Sequence, residues 1–351
     1  MKSKDVYSPY KFVHLLPELK RIKNKEIVEP INLQIDLTNY CNNDCRWCYY
    51  TIHDHIDEFS KTDKLDKDLA MRILEEFKEL GGQSIEITGG GEPLLSPYFK
   101  EFSQKARELG LDRALVTNGV LMTDDIIDEI KDYSWVRVSL NSASSEIYEQ
   151  IHNRPGKNYH KVVSNLEKLC MAKEDDCIVG ISMITDEINY KDIYGMAKVG
   201  KYVKADNVRI SLAHTPEKAA LFDGIWDDVL EQIEQAQELG DEDFKVFAFS
   251  NRLKDINRES RGGFCYYHHF TTAVGANGAV YPCCYFKDIS TYNLGDLNKQ
   301  SFKDIWYGNK RQNFIDKIGN DCPASCWMTD KNKLGDYLTM DKKDVPHLKF
   351  P

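Results

Sequence analysis

The sequence predicts an α/β fold, a partial (β/α)6 barrel of the TIM type followed by a smaller C-terminal domain. Short apolar runs alternate six times with longer helical patterns, and this alternation stops near residue 240, where cysteines, glycines and turns become frequent. Near-continuous apolar runs are typical of parallel strands that are buried on both faces. Six units are too few to close an eight-stranded barrel, so we expect an open one, with a doubly wound sheet as the alternative.

In each predicted unit a strand comes before a helix. The strands cover 31–38, 83–88, 113–117, 136–140, 177–185 and 207–213, and the helices cover 67–80, 97–109, 124–133, 158–172, 190–203 and 225–239. The strand segments are rich in β-branched residues, whereas the helical segments repeat apolar residues at the spacing of one helix face.

The alternation divides the chain into three parts: an N-terminal extension (1–30), the barrel (31–240) and the C-terminal domain (241–351). In the last part, TTAVGANGAVYPCCYF predicts a β-hairpin, because Asn277-Gly278 between two apolar runs favours a two-residue hairpin turn. We expect one helix to follow over 301–318.

Composition and charge exclude several classes of protein. The net charge of -10 over 351 residues argues against a surface for nucleic acid or anionic membranes. The sequence shows neither a transmembrane run nor a signal peptide, so we expect a cytoplasmic protein. In that reducing compartment the ten cysteines favour metal ligation or catalysis over a disulfide framework.

Three cysteines, Cys41, Cys45 and Cys48, lie in the stretch LTNYCNNDCRWCYY directly after the first predicted strand. The carboxyl ends of barrel strands are where such folds carry chemistry. Three thiolates suit a [4Fe-4S] cluster that leaves one iron open for a ligand. A zinc site that takes His53 or His55 as its fourth ligand is the alternative.

The spacing C-x3-C-x-aromatic-C, with Trp47 before the last cysteine, resembles the signature of the radical S-adenosylmethionine (SAM) superfamily. The resemblance implies that the open iron binds the amino and carboxylate groups of SAM, and that the reduced cluster cleaves SAM to a 5′-deoxyadenosyl radical that abstracts a substrate hydrogen. It further implies that Trp47 lies near the adenine, and that a reductant of the flavodoxin or ferredoxin type supplies the electron.

ITGGGEPLL, at the end of the second predicted strand, resembles the GGE motif of the same family. The glycines allow a close approach of the backbone to a ligand, and the resemblance implies that Gly90, Gly91 and Glu92 bind the methionyl amino group. Further SAM contacts that the resemblance implies are Asn118 in LVTNGVL, Ser139 and Asn141 in VSLNSA, Arg154 in HNRPG, and Ser182 on the fifth strand.

The C-terminal segment from GGFC to DCPASCW resembles the auxiliary-cluster domains of this superfamily, which occur as a longer SPASM form with two extra clusters and a shorter twitch form with one. After the first loop and the barrel cysteines Cys170 and Cys177, five cysteines remain, too few for two complete clusters. The predicted ligands of one auxiliary [4Fe-4S] cluster, and thus of two clusters in all, are Cys265, Cys283, Cys322 and Cys326. Cys284 is left out because adjacent side chains on a strand point to opposite faces. Zinc bound by the same four thiolates is the alternative.

The function expected from this resemblance is the radical dehydrogenation of a small molecule such as a sugar or cyclitol, in which the auxiliary cluster accepts an electron. One alternative is peptide modification by epimerisation or cross-linking. Epimerisation needs a thiol that returns a hydrogen atom, for which Cys170, Cys177 and Cys284 are the candidates. The alternative of another class is a non-catalytic zinc-binding protein.

Overall fold

A computed structural model describes residues 6–214, 218–248, 262–315, 318–323 and 326–345. Its centre is a ten-stranded sheet with the strand order β10-β9-β8-β1-β2-β3-β4-β5-β6-β7. The strands are β1 (Asn32–Asp36), β2 (Ser84–Thr88), β3 (Asp112–Thr117), β4 (Trp135–Ser139), β5 (Ile178–Thr185), β6 (Asn207–Leu212), β7 (Lys245–Ala248), β8 (Thr271–Val274), β9 (Ala279–Tyr281) and β10 (Gly295–Asp296). Strands β1 to β7 are parallel, which confirms the predicted α/β class and its partial barrel.

The parallel part of the sheet contains one strand more than we predicted. Strand β7 pairs with β6 but lies beyond residue 240, in the segment that we assigned to the C-terminal domain. It has only four residues, and Lys245 at its start is exposed. Because the segment lacks a longer apolar run, the sequence pattern does not reveal it.

Helices follow the strands on the outside of the sheet. They are α1 (Leu16–Lys23), α2 (Tyr49–Ile52), α3 (Lys67–Glu79), α4 (Phe99–Glu108), α5 (Asp124–Ile130), α6 (Ser145–His152), α7 (Lys157–Ala172), α8 (Ile193–Tyr202), α9 (Trp226–Glu238), α10 (Phe302–Trp306), α11 (Asn309–Ile315) and α12 (Thr329–Leu338). Within the described part of the chain, none of them has both the length and the apolar composition that crossing a membrane requires.

The predicted hairpin is confirmed. Strands β8 and β9 are antiparallel, and Gly278 between them has a φ of +82°, a value that glycine adopts without strain. Strand β8 also pairs in parallel with β1, the strand that leads into the first cysteine loop. The hairpin therefore extends the barrel sheet, and Cys283 and Cys284 directly follow its second strand, β9.

The single helix predicted over 301–318 is wrong. Two short helices, α10 and α11, cover the described part of this segment and are separated at Tyr307-Gly308. The buried indole of Trp306 donates from Nε1 to the Val28 carbonyl (3.0 Å), and the Arg311 guanidinium packs 3.5 Å above its ring. With these contacts the chain bends at Gly308 and Trp306 is buried. The apolar pattern of a helix does not reveal such a bend.

Candidate active site

The first cysteine loop leaves β1 and ends at α2. The last turn of α6 holds it from the side, where Asp44 N donates to the His152 carbonyl and Arg46 N donates to the Ile151 carbonyl (both 3.1 Å). The Arg46 guanidinium also pairs with Asp186 and Glu187. Backbone bonds from a helix end thus place the loop above the carboxyl ends of the central strands.

His152 contacts this loop directly, and the sequence analysis missed it. Its Nε2 is 3.0 Å from the Leu140 carbonyl, while Nδ1 lies 3.1 Å from Cys45 Sγ and 3.2 Å from Asn43 Nδ2. Burial lowers the pKa of His152 to about 4, so the ring is neutral, donates from Nε2 and accepts at Nδ1. The histidine therefore orients Cys45 in its protonated thiol form, which donates to Nδ1. Its only signal in the sequence is its place in HNRPG.

Cys41 is exposed as a residue, and Cys45 and Cys48 are half-buried, but protein atoms surround the sulfurs of Cys41 and Cys45. Burial raises the pKa of Cys41 to about 11 and raises that of Cys45 further, and in both cases the charge of Cys48 adds to the effect. Three thiolates this close together are stable only if a cation replaces their protons. The donor set therefore fits a cationic iron–sulfur cluster.

The loop that carries the GGE motif, which we call the GGE loop, needs its glycines because it packs closely against Asn39 and Tyr40. A Cβ on Gly91 would lie 2.1 Å from the Tyr40 carbonyl oxygen, and one on Gly90 would lie 2.2 Å from Asn39 Oδ1. Glu92 N donates to the same Tyr40 carbonyl (2.7 Å), and Gly90 N donates to Asp36 Oδ2 (2.8 Å). In the structure these glycines allow the loop to pack against the first cysteine loop, and their approach to a ligand stays a prediction.

We expect Gly91→Ala to weaken the binding of the first cluster, because the added methyl group must displace the Tyr40 carbonyl beside Cys41 at a cost of about 1–3 kcal/mol. Iron content and the formation of 5′-deoxyadenosine measure the effect. The control is Gly110→Ala, which meets nothing within 4 Å but takes a φ of +65° and costs about 1–2 kcal/mol of backbone strain. Equal losses of iron in the two variants would contradict the specific role of Gly91.

Glu92 is buried among hydrogen-bond donors at the end of β3. Its carboxylate accepts from Thr117 Oγ1 (2.6 Å), Asn118 N (2.7 Å) and Leu94 N (3.1 Å). Burial raises its pKa, and these bonds act in the opposite direction. A carboxylate offers about four acceptor positions, so a position remains for an ammonium group of SAM.

The other predicted SAM contacts lie at the same ends of the strands. Asn118 Nδ2 donates to Asn42 Oδ1 (2.6 Å), and Arg154 Nε donates to the Asn42 carbonyl (2.6 Å), so both reach the residue next to Cys41. Ser139 and Ser182 are register partners on β4 and β5.

Two of these predicted contacts already have structural partners. Asn141 has a φ of +61°, and its Oδ1 accepts from Ile184 N (2.8 Å). Trp47 is buried against Ile151 and Ala213. Contact of these two residues with SAM stays a prediction.

The four cysteines predicted to bind the auxiliary cluster lie near one another. Cys265, Cys283 and Cys322 share an apolar cluster with Phe286 and Ile289. A hydrogen bond between the thiols of Cys265 and Cys322 lowers the pKa of Cys265 and raises the pKa of Cys322. Burial raises the pKa of Cys283, and the charge of Cys326 adds to the rise in the pKa of both Cys283 and Cys322. These thiols form a second donor set that fits an iron–sulfur cluster.

Cys284 lies toward the interior of the barrel. Its backbone N donates to Gln34 Oε1 (3.2 Å), and Gln34 Nε2 donates to Glu86 Oε2 (3.0 Å). Burial, aided by the charge of Glu86, raises the pKa of the Cys284 thiol to about 12. Cys170 and Cys177 lie instead beside Lys173 and Asp206, before the start of β5 and at the opposite end of that strand from the SAM contacts.

Tyrosines and histidines lie between the two cysteine groups. Tyr49 directly follows Cys48, and its hydroxyl donates to the Tyr285 carbonyl (3.2 Å), two residues after Cys283. The ring of His53 lies 4.6 Å from that of Tyr49 and 5.5 Å from that of His214. His55 Nε2 is 3.2 Å from the Tyr49 hydroxyl. We call these five residues the histidine–tyrosine cluster. His214 carries no motif, so the sequence did not single it out.

Known proteins share both regions. The family model described as the radical SAM superfamily matches residues 35–200, and the one described as the SPASM iron–sulfur cluster-binding domain matches residues 265–328. The tungsten-containing aldehyde ferredoxin oxidoreductase cofactor-modifying protein of Pyrococcus furiosus is 23% identical over 303 residues, which are 78% of this chain and 80% of that protein. The S-adenosylmethionine-dependent nucleotide dehydratase of Lacinutrix mariniflava is 26% identical over 178 residues, 48% of this chain but only 36% of that protein.

Solved structures share the fold. SuiB of Streptococcus suis, bound to S-adenosylmethionine, superposes with a TM-score of 0.64 at 15% identity and covers 90% of this chain and 75% of its own. Its complex with the precursor peptide SuiA gives a TM-score of 0.63 at 15% identity, over 92% of this chain and 77% of SuiB. A radical SAM domain binds SAM and a [4Fe-4S] cluster, and a SPASM domain binds auxiliary iron–sulfur clusters. With both domains present, the chain belongs to the radical SAM superfamily, in the group that carries a SPASM domain.

Proposed function

We propose that the chain is an oxidoreductase that dehydrogenates an alcohol carbon of a small molecule, such as a sugar or cyclitol. The histidine–tyrosine cluster between the two cysteine groups is the observation that supports it most. Oxidation of a CHOH group to a carbonyl removes one hydrogen atom, one proton and one electron. When bound, SAM and its cluster supply the 5′-deoxyadenosyl radical that takes the hydrogen atom. The chain must supply a proton acceptor and an electron acceptor.

In this proposal the two groups of cysteines hold two different clusters. Cys41, Cys45 and Cys48 hold the SAM-binding cluster, while Glu92, Arg154 and the other polar residues at the strand ends orient SAM. Cys265, Cys283, Cys322 and Cys326 hold the auxiliary cluster that receives the electron. A flavodoxin- or ferredoxin-type protein is the reductant in this proposal, and Trp47 keeps water from the first site by its packing against Ile151.

His53 is the proton acceptor in this proposal. Its Nε2 donates to the His214 carbonyl (3.0 Å), which fixes the tautomer and leaves Nδ1 as an acceptor. Burial and the charge of His53 lower the pKa of neighbouring His55. A neutral imidazole is the form that accepts a proton from an alcohol.

To test the function, SAM and dithionite are supplied to the anaerobic enzyme together with cyclitols, aminocyclitols and hexoses that carry deuterium at each CHOH carbon in turn. We expect one substrate to transfer deuterium into 5′-deoxyadenosine and to yield one ketone per SAM consumed, by mass spectrometry. Failure of the whole panel to transfer deuterium would contradict dehydrogenation of this substrate class.

With that substrate, we expect His53→Ala to lower ketone formation by about 10²-fold or more while SAM cleavage continues, because only the proton acceptor is lost. The ratio of ketone to 5′-deoxyadenosine measures this uncoupling. The control is His160→Ala, which replaces an exposed histidine on α7. An unchanged ratio in the His53 variant would remove His53 from the mechanism.

Peptide modification is the second candidate function. It is favoured by the likeness of the fold to SuiB, which binds a precursor peptide. If the product is an epimer, the hydrogen donor in this proposal is Cys284, the only one of the three candidate thiols placed beside Gln34 and Glu86 in the described structure. Solvent deuterium in the product, lost in Cys284→Ala, would favour epimerisation over dehydrogenation.

A further inference from the structure

The auxiliary cysteine group contains a nitrogen donor besides its thiols. A ring nitrogen of His268 and the sulfurs of Cys265 and Cys322 lie within 4.8 Å of one another, and all three residues are buried. A soft, buried set of two sulfurs and one imidazole is the kind of donor set that holds transition metals.

The hydrogen bond that His268 makes to a backbone carbonyl determines which of its ring nitrogens is available to a metal. His268 Nδ1 lies 3.2 Å from the Pro282 carbonyl, and since a carbonyl only accepts, Nδ1 carries the proton. Nε2 of the neutral ring then holds a lone pair, and among the described residues it has no hydrogen-bond partner. Metal-bound histidines typically donate their other N–H to a carbonyl or carboxylate in this way.

The carbonyl group that accepts from His268 lies next to a predicted ligand in the sequence. Pro282 directly precedes Cys283, so the carbonyl that orients His268 belongs to the segment that supplies a cysteine of the group. The surroundings are apolar, with the Phe286 ring 6.4 Å away. A buried lone pair left without a partner is destabilising, and a bound metal ion provides the partner.

We propose that His268 is a nitrogen ligand of the auxiliary iron–sulfur cluster, together with Cys265 and Cys322. A neutral imidazole in place of one thiolate makes the cluster less negative and raises its reduction potential, as histidine ligation does in other iron–sulfur centres. One of the two remaining thiolates, Cys283 or Cys326, then binds the last iron, so that only three of the four cysteines assigned above are ligands. The proposal depends on the SPASM domain and not on the substrate or on dehydrogenation.

The test is spectroscopic and uses the full chain with Cys41, Cys45 and Cys48 all replaced by Ala, so that only the auxiliary cluster remains. The protein is prepared with ¹⁵N-histidine, reconstituted to about four iron atoms, and reduced with dithionite. We expect pulsed electron paramagnetic resonance to show strong coupling of a histidine ¹⁵N to the cluster. The His268→Cys variant should keep its iron, lose this coupling and have a lower reduction potential.

His269→Gln is the matched control. His269 is also buried, and its Nε2 likewise has no hydrogen-bond partner among the described residues, but its ring stacks on Phe264 at 5.3 Å. This variant should keep the coupling. The absence of histidine coupling in the labelled parent, its persistence in His268→Cys, or a site filled by zinc without iron would each overturn the proposal. The parent measurement decides even if His268→Cys does not fold.

Discussion

Cys45→Ala is expected to reduce the formation of 5′-deoxyadenosine to background, at least about 100-fold, since the loss of an outer-shell partner alone typically costs 10–100-fold at a metal site. Cys45 is the thiol of the first group that contacts a histidine, with Sγ 3.1 Å from His152 Nδ1. Its removal leaves the open iron cluster without one of three thiolates. Chromatography of anaerobic assays with SAM and dithionite measures the product.

Two further variants make this result specific. Cys322→Ala should keep part of the SAM cleavage while the oxidised product is lost, because the auxiliary group is separate from the first loop. Cys170→Ala, which lies beside Lys173 and Asp206, should behave as wild type. Wild-type cleavage by Cys45→Ala would refute the assignment of the first loop as the site of the SAM-binding cluster.

Lys287→Met is expected to lower the free energy of unfolding by about 3–5 kcal/mol, the usual cost of removing one partner from a buried ion pair. Lys287 (1% exposed) and Asp36 (0% exposed) form an ion pair, and Asp36 Oδ2 also accepts from Gly90 N. The variant leaves the Asp36 carboxylate buried without its cation. Urea denaturation of the anaerobic protein, followed by circular dichroism, measures the change.

Two comparisons separate charge from packing in this experiment. Lys299→Met removes an exposed ion pair with Asp296 and should cost less than about 1 kcal/mol. The double variant Asp36→Asn/Lys287→Met should recover much of the stability, because it removes the charge of Asp36 together with that of its cation, while Asn still accepts from Gly90 N. A double variant less stable than Lys287→Met alone would contradict this explanation.

The same ion pair shows what the sequence could not reveal about the site. Asp36 ends β1, just before the first cysteine loop, and Lys287 follows the predicted hairpin about 250 positions later. Neither residue belongs to a motif. The contact joins the SPASM segment to the GGE loop because β8 pairs with β1, a pairing that no local pattern encodes.

By itself, the sequence determined the α/β class, the hairpin at Asn277-Gly278 and the family, because strand and helix periods, turn residues and ligand spacings are local properties of the chain. Only the tertiary structure decided that His152 orients Cys45, that His268 faces Cys265 and Cys322, and that Gly91 packs on Tyr40. It also revealed β7 and divided the helix predicted over 301–318. Each of these depends on burial and on contacts between distant segments, which exist only after the chain has folded.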